Sequence, residues 1–155
     1  MIIRKASLAD FDGYFNIKSD LPNIRWGGWR EPPSYEKLKL VYEARLHDPG
    51  RIEYVCLIEN TIVGSLSAIV QDDYIEIGYG VLSSYTGLGV ATAIIDFVVK
   101  DNEGKYFIAW VSDKNIGSEK CLLNNGFIKT TETDKRFLEL DKEQHTFYKW
   151  ERKSA

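Results

Sequence analysis

The stretch from Tyr74 to Ile95, YIEIGYGVLSSYTGLGVATAII, limits the possible folds of this chain more than any other. Its first half is rich in β-branched and aromatic residues, the usual composition of a strand. From its second half onward, Val90, Ile94, Phe97 and Val98 are spaced like one face of a helix. Small residues separate the halves, between Thr86 and Ala91. The stretch therefore predicts a strand, a tight turn and a helix.

The position of this turn, directly before a helix, suits an anion. The first four N–H groups of a helix have no partner inside it, and the peptide dipoles add about half a positive charge there. Gly87, Gly89 and Ala91 lack the side chains that would hold a ligand away from the backbone. The turn therefore predicts a phosphate or diphosphate site. The alternative is a turn that uses glycine only for its dihedral freedom.

Two well-known phosphate-binding loops do not fit this turn. A P-loop needs a lysine after its last glycine, whereas Val90 follows Gly89. A dinucleotide-binding turn needs a third glycine, and Thr92 stands at that position. Such a turn would also usually open a βαβ unit rather than follow several strands.

The segment from Thr86 to Ala91 resembles the acyl-CoA loop of the GNAT family of N-acetyltransferases. That loop reads Gln/Arg-x-x-Gly-x-Gly/Ala, and the match fails only at the first position. The preceding segment, Glu76 to Tyr85, is similar to the strand that leads into the loop. Asn115 to Thr130 resembles the family's N-x-x-S…G-F element. The resemblance covers nearly the whole chain and is nearest the ribosomal-protein N-terminal acetyltransferase branch.

The resemblance implies an α+β fold in α/β/α layers, formed by a single GNAT domain over residues 1–155. The central sheet would be mixed and mostly antiparallel, with about seven strands and a V-shaped splay between the fourth and fifth. Residue patterns predict a loop at Leu21 to Pro33 because it contains three prolines and two glycines. They also predict two short strand pieces, Phe127 to Thr131 and about Phe137 to Leu140.

The resemblance also implies acetyl-CoA as co-substrate, and no metal. Main-chain groups of Tyr79 and Val81 would pair with the pantetheine arm. Asn115 would contact the pantetheine or the thioester end, and Ser118 would lie beside the sulfur. Alternatively, neither residue binds the cofactor: Asn115 is then a simple turn residue and Ser118 an ordinary hydroxyl on the helix. Thr86 stands where the family has Gln or Arg, so one side-chain contact to the phosphates is lost, but the backbone site stays intact. The diphosphate would bind the main-chain N–H groups of Gly87, Leu88, Gly89, Val90 and Ala91.

Acetyl transfer to an amine requires a base, because an amine with a pKa of about 10 is protonated at neutral pH. Glu76, a carboxylate in an otherwise apolar strand, is the candidate base, directly or through a water molecule. Alternatively, Glu76 is a half-exposed charge on the strand and has no part in catalysis. The leaving thiolate has a pKa of about 8.5, so an acid assists its departure. Many relatives have a tyrosine acid where this chain has Leu122, so Ser118 or water would protonate the sulfur.

Trp26 and Trp29 are the candidate acceptor-binding residues, because aromatic faces stack on sugars and other planar groups. Alternatively, one of them anchors its loop to the core. The acceptor would be a primary amine of a small molecule, such as an amino sugar, or a peptide N-terminus. A non-catalytic acyl-CoA-binding or regulatory module is the alternative function. His145 is expected to be solvated at a strand edge.

Composition limits the possible partners and location. The chain has 20 basic and 23 acidic residues, and its net charge of −3 gives no electrostatic case for nucleic acid. Cys56 and Cys121 lie in apolar runs, as is typical of reduced, buried thiols in a cytoplasmic protein. Charged residues interrupt any apolar leader, and no stretch reaches the ~18 apolar residues of a membrane helix. Dimers are common in the resembling family, so a homodimer stays open.

Overall fold

The elements of the chain follow the order expected from its sequence, apart from one additional short helix before β2. The computed structural model describes residues 1–153, and in that range it contains seven strands, five α-helices and two short 3₁₀ helices. The strands are β1 (Ile2–Lys5), β2 (Arg51–Ile58), β3 (Thr61–Val70), β4 (Ile75–Val81), β5 (Phe107–Ser112), β6 (Ile128–Leu138) and β7 (Glu143–Arg152). The helices are α1 (Phe11–Lys18), α2 (Leu21–Trp26), α3 (Tyr35–His47), α4 (Val90–Asp101) and α5 (Ile116–Asn124).

All seven strands form one sheet in the order β1-β2-β3-β4-β5-β7-β6. Every neighbouring pair is antiparallel except β4 and β5, which are parallel because α4 connects them. β4 and β5 pair through Ile75–Phe107 and Glu76–Ile108. Both strands then continue without pairing to each other, which opens a V in the middle of the sheet. The predicted mixed sheet and its splay are therefore confirmed.

The two faces of the sheet differ because side chains alternate along each strand. On β4, Ile77 and Tyr79 point to the face covered by α4, which we call the α4 face. Gly78 and Gly80 point to the opposite face, where α1 and α3 pack. A Cβ placed on Gly80 would lie 3.2 Å from Ile17 of α1. We call this second side the α1 face.

The main core lies between the α4 face and the helices that cover it. Ile94 and Ile95 of α4 and Leu122 of α5 are fully buried there. The first residue of α4 also packs tightly on β3, since a Cβ added to Gly64 would lie 2.8 Å from Val90 Cγ1. Glycine at position 64 therefore allows the start of α4 to lie close to the sheet.

A smaller aromatic cluster holds α1 and α3 together on the other side. Phe11, Tyr14 and Tyr42 are buried, and the rings of Tyr14 and Tyr42 stack with centroids 4.5 Å apart. Stacked aromatic pairs contribute about 0.5–1.5 kcal/mol beyond the area that they bury. Ser34 caps α3 by accepting a hydrogen bond from the Lys37 N–H at 3.4 Å, as its position in the sequence predicts.

Two sequence predictions about secondary structure are wrong. The predicted loop Leu21 to Pro33 begins with helix α2, and only its remainder, residues 27–33, is non-helical. Pro22 lies in the first turn of α2, where a missing N–H costs nothing, so it starts the helix rather than breaking it. The two predicted pieces of the sixth strand are one strand, β6, whose register against β7 shifts between Lys129 and Thr133.

Other sequence expectations can be compared directly with the structure. Cys56 is buried but Cys121 is only partly buried, and neither forms a disulfide. Within residues 1–153, no helix combines the length and apolar character needed to span a bilayer.

Candidate active site

Two concave regions meet at the V between β4 and β5. The first, which we call the groove, has a volume of about 430 Å³ and lies between the turn after β4, the start of α4, and α5. The second, which we call the cavity, has a volume of about 340 Å³ and lies on the α1 face of the sheet. Both are lined by Asn23, Trp26, Tyr79, Asn115 and Ser118, so one opens into the other.

The turn before α4 presents bare backbone to the groove. Gly87 and Gly89 have φ angles of +81° and +79°, a left-handed conformation that favours glycine. A Cβ on either residue would meet no atom within 4 Å, so the space in front of them is open. The first helical hydrogen bond runs from the Ala93 N–H to the Gly89 carbonyl at 2.9 Å. The preceding amides therefore have no intrahelical acceptor and can bind an anion.

Thr86 contributes to the shape of this turn through its side chain. Its hydroxyl donates to the carbonyl of Ser83 at 2.8 Å, so it folds the turn instead of reaching towards a phosphate. The N–H and hydroxyl of Ser83 in turn donate to the carboxylate of Asp20. The turn is thereby tied to the junction between α1 and α2, which fixes its position relative to the V.

The structure brings nine of the ten predicted cofactor-binding residues to the groove. The exception is Leu88, whose side chain is 59% exposed and points away from it. The residues that line the groove are Tyr79, Val81, Thr86, Gly87, Gly89, Val90, Ala91, Asn115 and Ser118.

A hydrogen-bonded pair lies where the groove meets the cavity. Asn115 caps α5, and its side-chain oxygen accepts a hydrogen bond from the Ser118 N–H at 3.3 Å. The hydroxyl of Ser118 lies 2.6 Å from the phenolic oxygen of Tyr79. Burial raises the pKa of Tyr79, so its phenol keeps its proton at neutral pH. Leu122, at the family's tyrosine position, is 0% exposed and faces the core.

Sequence reasoning assigned only the main chain of Tyr79 to the site and missed this side-chain contact. Tyr79 and Ser118 are 39 residues apart, and no local pattern connects them. Side chains alternate along β4, and this places Tyr79 on the same side as the residues that face α4. That alternation was the sequence feature that could have indicated the contact.

The candidate base, Glu76, lies on the other face of β4 and lines the cavity. Its side chain is partly exposed. Gly78, two residues further along the same face, leaves the adjacent space open, because a Cβ there would meet no atom within 4 Å. A small molecule can therefore lie against β4 beside the Glu76 carboxylate.

The structure separates the two candidate tryptophans. Trp26, at the end of α2, lines both the groove and the cavity, and the guanidinium of Arg25 lies 4.2 Å from its ring centre. Trp29 is 60% exposed and lines neither of them. The structure therefore brings Trp26 to the candidate site and leaves Trp29 outside it.

His145 is buried rather than solvated, so the expectation from the sequence is wrong. Its side chain is 0% exposed, with Nδ1 2.9 Å from Ser112 Oγ and Nε2 2.7 Å from a carboxylate oxygen of Asp141. Asp141 also accepts hydrogen bonds from Arg25, which lower the pKa of its carboxyl together with those from His145. These contacts link α2 to the turn between β6 and β7 and hold Trp26 in place, with its ring edge-on to His145.

The same region contains a possible set of metal ligands. Ligand atoms of Asp141, Glu143 and His145 lie within 4.8 Å of one another. Asp141 is already paired with Arg25 at 2.9 Å, so these groups form an ion-pair network with its own counter-charge.

Basic side chains form another part of the cavity that sequence reasoning missed. Lys18 from α1, Arg45 from α3 and Arg51 from β2 all line it. The available signal was in β2, where Arg51 and Glu53 alternate with apolar residues although the strand is largely buried. Charged residues on the inward face of a buried strand are unusual and often functional.

Comparison with known proteins agrees with this geometry. The family model of the acetyltransferase (GNAT) domain matches residues 1–128. A search of curated proteins finds no significant match. Among solved structures, the chain is similar to a ribosomal-protein-alanine N-acetyltransferase from Brucella melitensis, with a TM-score of 0.85, 20% identity and 99% of both chains covered.

Two further solved structures hold ligands of the expected kind. A spermidine N-acetyltransferase from Vibrio cholerae, in complex with CoA and spermine, has a TM-score of 0.85 and 13% identity over 99% of this chain and 95% of that one. A phosphinothricin acetyltransferase from Sinorhizobium meliloti, in complex with AcCoA, has a TM-score of 0.82 and 18% identity over 99% of this chain and 88% of that one.

The splayed sheet and the amide-lined turn define an acyl-CoA-dependent transferase. Because the family model matches most of the chain, the protein belongs to the GNAT family of acetyl-CoA-dependent N-acetyltransferases. The family inferred from the two sequence motifs is therefore confirmed.

Proposed function

We propose that the protein transfers the acetyl group of acetyl-CoA to the primary amine of a small molecule or of a peptide N-terminus. The observation that carries this proposal is the junction of the two concave regions at the V. The groove suits the extended cofactor, and the cavity contains a carboxylate, Glu76, next to open space at Gly78. A thioester at the junction and an amine in the cavity would lie next to each other.

In this proposal, the main-chain N–H groups from Gly87 to Ala91 bind the diphosphate, and the pantetheine arm lies between β4 and β5. Both strands have unpaired main-chain groups beyond Glu76 and Ile108 that can bond to the arm. The same N–H groups of β4 supply donors for the oxyanion that forms during transfer. A bound thioester thus replaces the missing hydrogen bonds of the open sheet.

The chemical step assigns one role to each group. Glu76 accepts a proton from the ammonium, directly or through water, and the free amine nitrogen then attacks the thioester carbon. The carbon–sulfur bond of the tetrahedral intermediate breaks, and the thiolate leaves. Ser118 donates a hydrogen bond to this sulfur while Tyr79 holds the Ser118 hydroxyl in place. The proton that the amine loses on forming the amide reaches the thiolate through these groups or through water.

The location and assembly of the protein are part of the same proposal. We place it in the cytoplasm, because its two cysteines are not joined in a disulfide and Cys56 is buried. Its acceptor is a free amine rather than nucleic acid, since the net charge is −3. Light scattering after size-exclusion chromatography distinguishes a monomer from a homodimer.

A non-catalytic acyl-CoA-binding module is the second candidate function. The burial of Leu122 favours it, because the helix that carries the usual acid in relatives has only an apolar side chain at that position. A module of this kind would bind acetyl-CoA in the groove and release no thiol.

Thiol release from acetyl-CoA across a panel of amines separates the two functions. If the protein is an acetyltransferase, turnover occurs. Glu76→Gln then lowers kcat/KM about 10²- to 10⁴-fold, the usual contribution of a general base, and leaves acetyl-CoA binding unchanged. Glu103→Gln, an exposed change beyond the end of α4, is the matched control. Binding of acetyl-CoA without turnover of any amine would support the module instead.

A further inference from the structure

The cavity is unusually basic for a site that must bind a protonated amine. In the part of the chain that the structure describes, its lining includes four basic side chains, Lys18, Arg45, Arg51 and Arg136, and one carboxylate, Glu76. Arg136 is paired with a carboxylate of its own strand at 3.0 Å. The other three come from different elements and meet on the same side of the cavity.

These three cations have little counter-charge between them. Arg51 Nε lies 3.6 Å from Glu53 Oε1, and both atoms are buried without a hydrogen-bond partner within residues 1–153. Arg45 donates to the neutral hydroxyl of Tyr14 at 3.1 Å. The ammonium of Lys18 lies 5.5 Å from the centre of the Tyr14 ring. Three positive charges therefore share the single carboxylate of Glu53.

The electrostatics of Lys18 agree with this imbalance. Burial lowers the pKa of Lys18, and the positive charges of Arg45 and Arg51 lower it further, while Glu53 opposes the shift. Like charges gathered in a partly desolvated space destabilise each other. An anion bound among them would relieve that repulsion and form charge-assisted hydrogen bonds.

The sheet register fixes where these cations lie relative to the candidate base. Arg51 pairs with Ile69, and Ile69 pairs with Glu76, so the three residues form one row across β2, β3 and β4. Because neighbouring strands are about 4.8 Å apart, the Cα atoms of Arg51 and Glu76 are separated by about 10 Å on the same face. One small molecule can reach from the carboxylate of Glu76 to the guanidinium of Arg51.

We propose that the acceptor is a small amine that also carries a carboxylate or phosphoryl group, which Lys18, Arg45 and Arg51 bind while the amine faces Glu76. This inference deepens the proposed acetyl transfer and rests on it. The acceptor's two charges then match the two ends of the cavity. A polycationic amine matches only one end, because its second ammonium would lie among the three cations.

Matched pairs of acceptors test this preference. An α-amino acid and its carboxamide form the carboxylate pair, and an amino sugar phosphate and the unphosphorylated sugar form the phosphoryl pair. Thiol release gives kcat/KM for each, expressed per unprotonated amine, with spermidine as the polycationic comparison. The anionic member of at least one pair should be favoured about 10- to 100-fold. Equal or better use of the uncharged members, or of spermidine, would overturn the proposal.

Charge removal in the cavity identifies the residues responsible. Lys18→Met should raise KM for the anionic acceptor about 10-fold or more, and leave KM for its uncharged counterpart and for acetyl-CoA unchanged. Arg45→Met is a second variant that keeps the Arg51–Glu53 contact. Lys100→Met, an exposed change on α4, is the control. Equal loss for both members of a pair would contradict a specific role in binding the anion.

A binding measurement separates failure of this inference from failure of the proposed function. If the protein binds acetyl-CoA but acetylates no amine, calorimetry of the CoA-bound protein with the anionic acceptors still tests the cavity. Binding that is lost in Lys18→Met would support the anion site even though the transfer proposal had failed. No measurable binding of either anionic acceptor would overturn the inference.

Discussion

The phenolic oxygen of Tyr79 lies 2.6 Å from the hydroxyl of Ser118, which joins β4 to α5 across the open V. This contact lies where the groove meets the cavity, since both residues line both regions. It provides a hydroxyl pair at the point where the proposed reaction releases a thiolate.

Removing the phenol should slow the chemical step without weakening cofactor binding. We expect Tyr79→Phe to lower kcat about 10-fold, or ~1.4 kcal/mol, because Ser118 loses the partner that orients it. Ser118→Ala should lower kcat at least as much. In the Ser118→Ala background, Tyr79→Phe should have little further effect, because the two groups act as a unit. Additive losses in steady-state kinetics would contradict this coupling.

Tyr54→Phe is the matched control for that experiment. Tyr54 is a buried phenol of strand β2, two strands away from β4, and it donates to Asp101 at 2.8 Å, near the far end of α4. Its loss should reduce the free energy of unfolding by about 1 kcal/mol and leave kcat unchanged.

The backbone of the turn before α4 can be tested with two equally strained substitutions. Gly87 and Gly104 have φ angles of +81° and +80°, and a Cβ on either would meet no atom within 4 Å. Alanine should cost about 1–2 kcal/mol of unfolding free energy at both positions. In Gly87→Ala alone, the dissociation constant of acetyl-CoA should rise 10-fold or more, because the new methyl group stands in front of the diphosphate site. Calorimetry measures the stability of both variants and their affinity for acetyl-CoA. Equal affinities of Gly87→Ala and Gly104→Ala for acetyl-CoA would contradict the assignment of the diphosphate site to this turn.

Two other glycines separate packing from substrate access. Gly64→Ala would bring a Cβ within 2.8 Å of Val90 Cγ1, so we expect a loss of about 1–3 kcal/mol in stability and weaker acetyl-CoA binding as the start of α4 shifts. Gly78→Ala has open space around it and should leave stability almost unchanged. Its methyl group points into the cavity, so KM for the acceptor should rise. Thermal unfolding and kinetics of both variants check these outcomes.

Acid should weaken the junction between β1 and α1. The hydrogen bond from Arg4 is the main cause that lowers the pKa of Asp10, and the Ser7 N–H adds to it. A carboxyl with a lowered folded-state pKa stabilises the protein above its unfolded value of about 3.9, and this contribution disappears as the pH falls through the folded value. Arg4→Met should therefore be less stable than wild type at pH 7, and the difference should shrink below pH ~4.

Urea unfolding at pH 7 and at several values below pH 4 measures this difference. Lys114→Met, which removes an exposed pair with Glu143, is the control and should show almost no effect at any pH. A stability difference between Arg4→Met and wild type that stays constant with pH would show that Asp10 does not titrate as described.

The central part of the fold could be predicted because its signals are local. The alternation of β4, the glycines of the turn and the periodicity of α4 lie in one stretch, and each dictates structure over a few residues. The same stretch contains the groove-lining backbone, so most of the residues that line the groove were also predictable. Leu88 stays a prediction, because the prediction concerns its main-chain N–H, whereas its exposed side chain points away from the groove.

The missed features depend on contacts between distant segments. His145 is buried with its two nitrogens close to oxygen atoms of Ser112 and Asp141, and a strand with alternating residues gives no indication of those neighbours. Lys18 and Arg51 reach the same cavity from a helix and a strand that are far apart in sequence. Helix α2 was missed for a different reason, because proline was treated as a breaker at a position where it starts a helix.

The most direct test of the proposed cofactor site is a crystal structure of the protein with CoA. We expect diphosphate oxygens within hydrogen-bond distance of the main-chain N–H groups of Gly87 to Ala91, the pantetheine arm between β4 and β5, and the sulfur beside Ser118. CoA bound with its diphosphate away from the start of α4, or crystals that stay empty at CoA concentrations that saturate related enzymes, would contradict it.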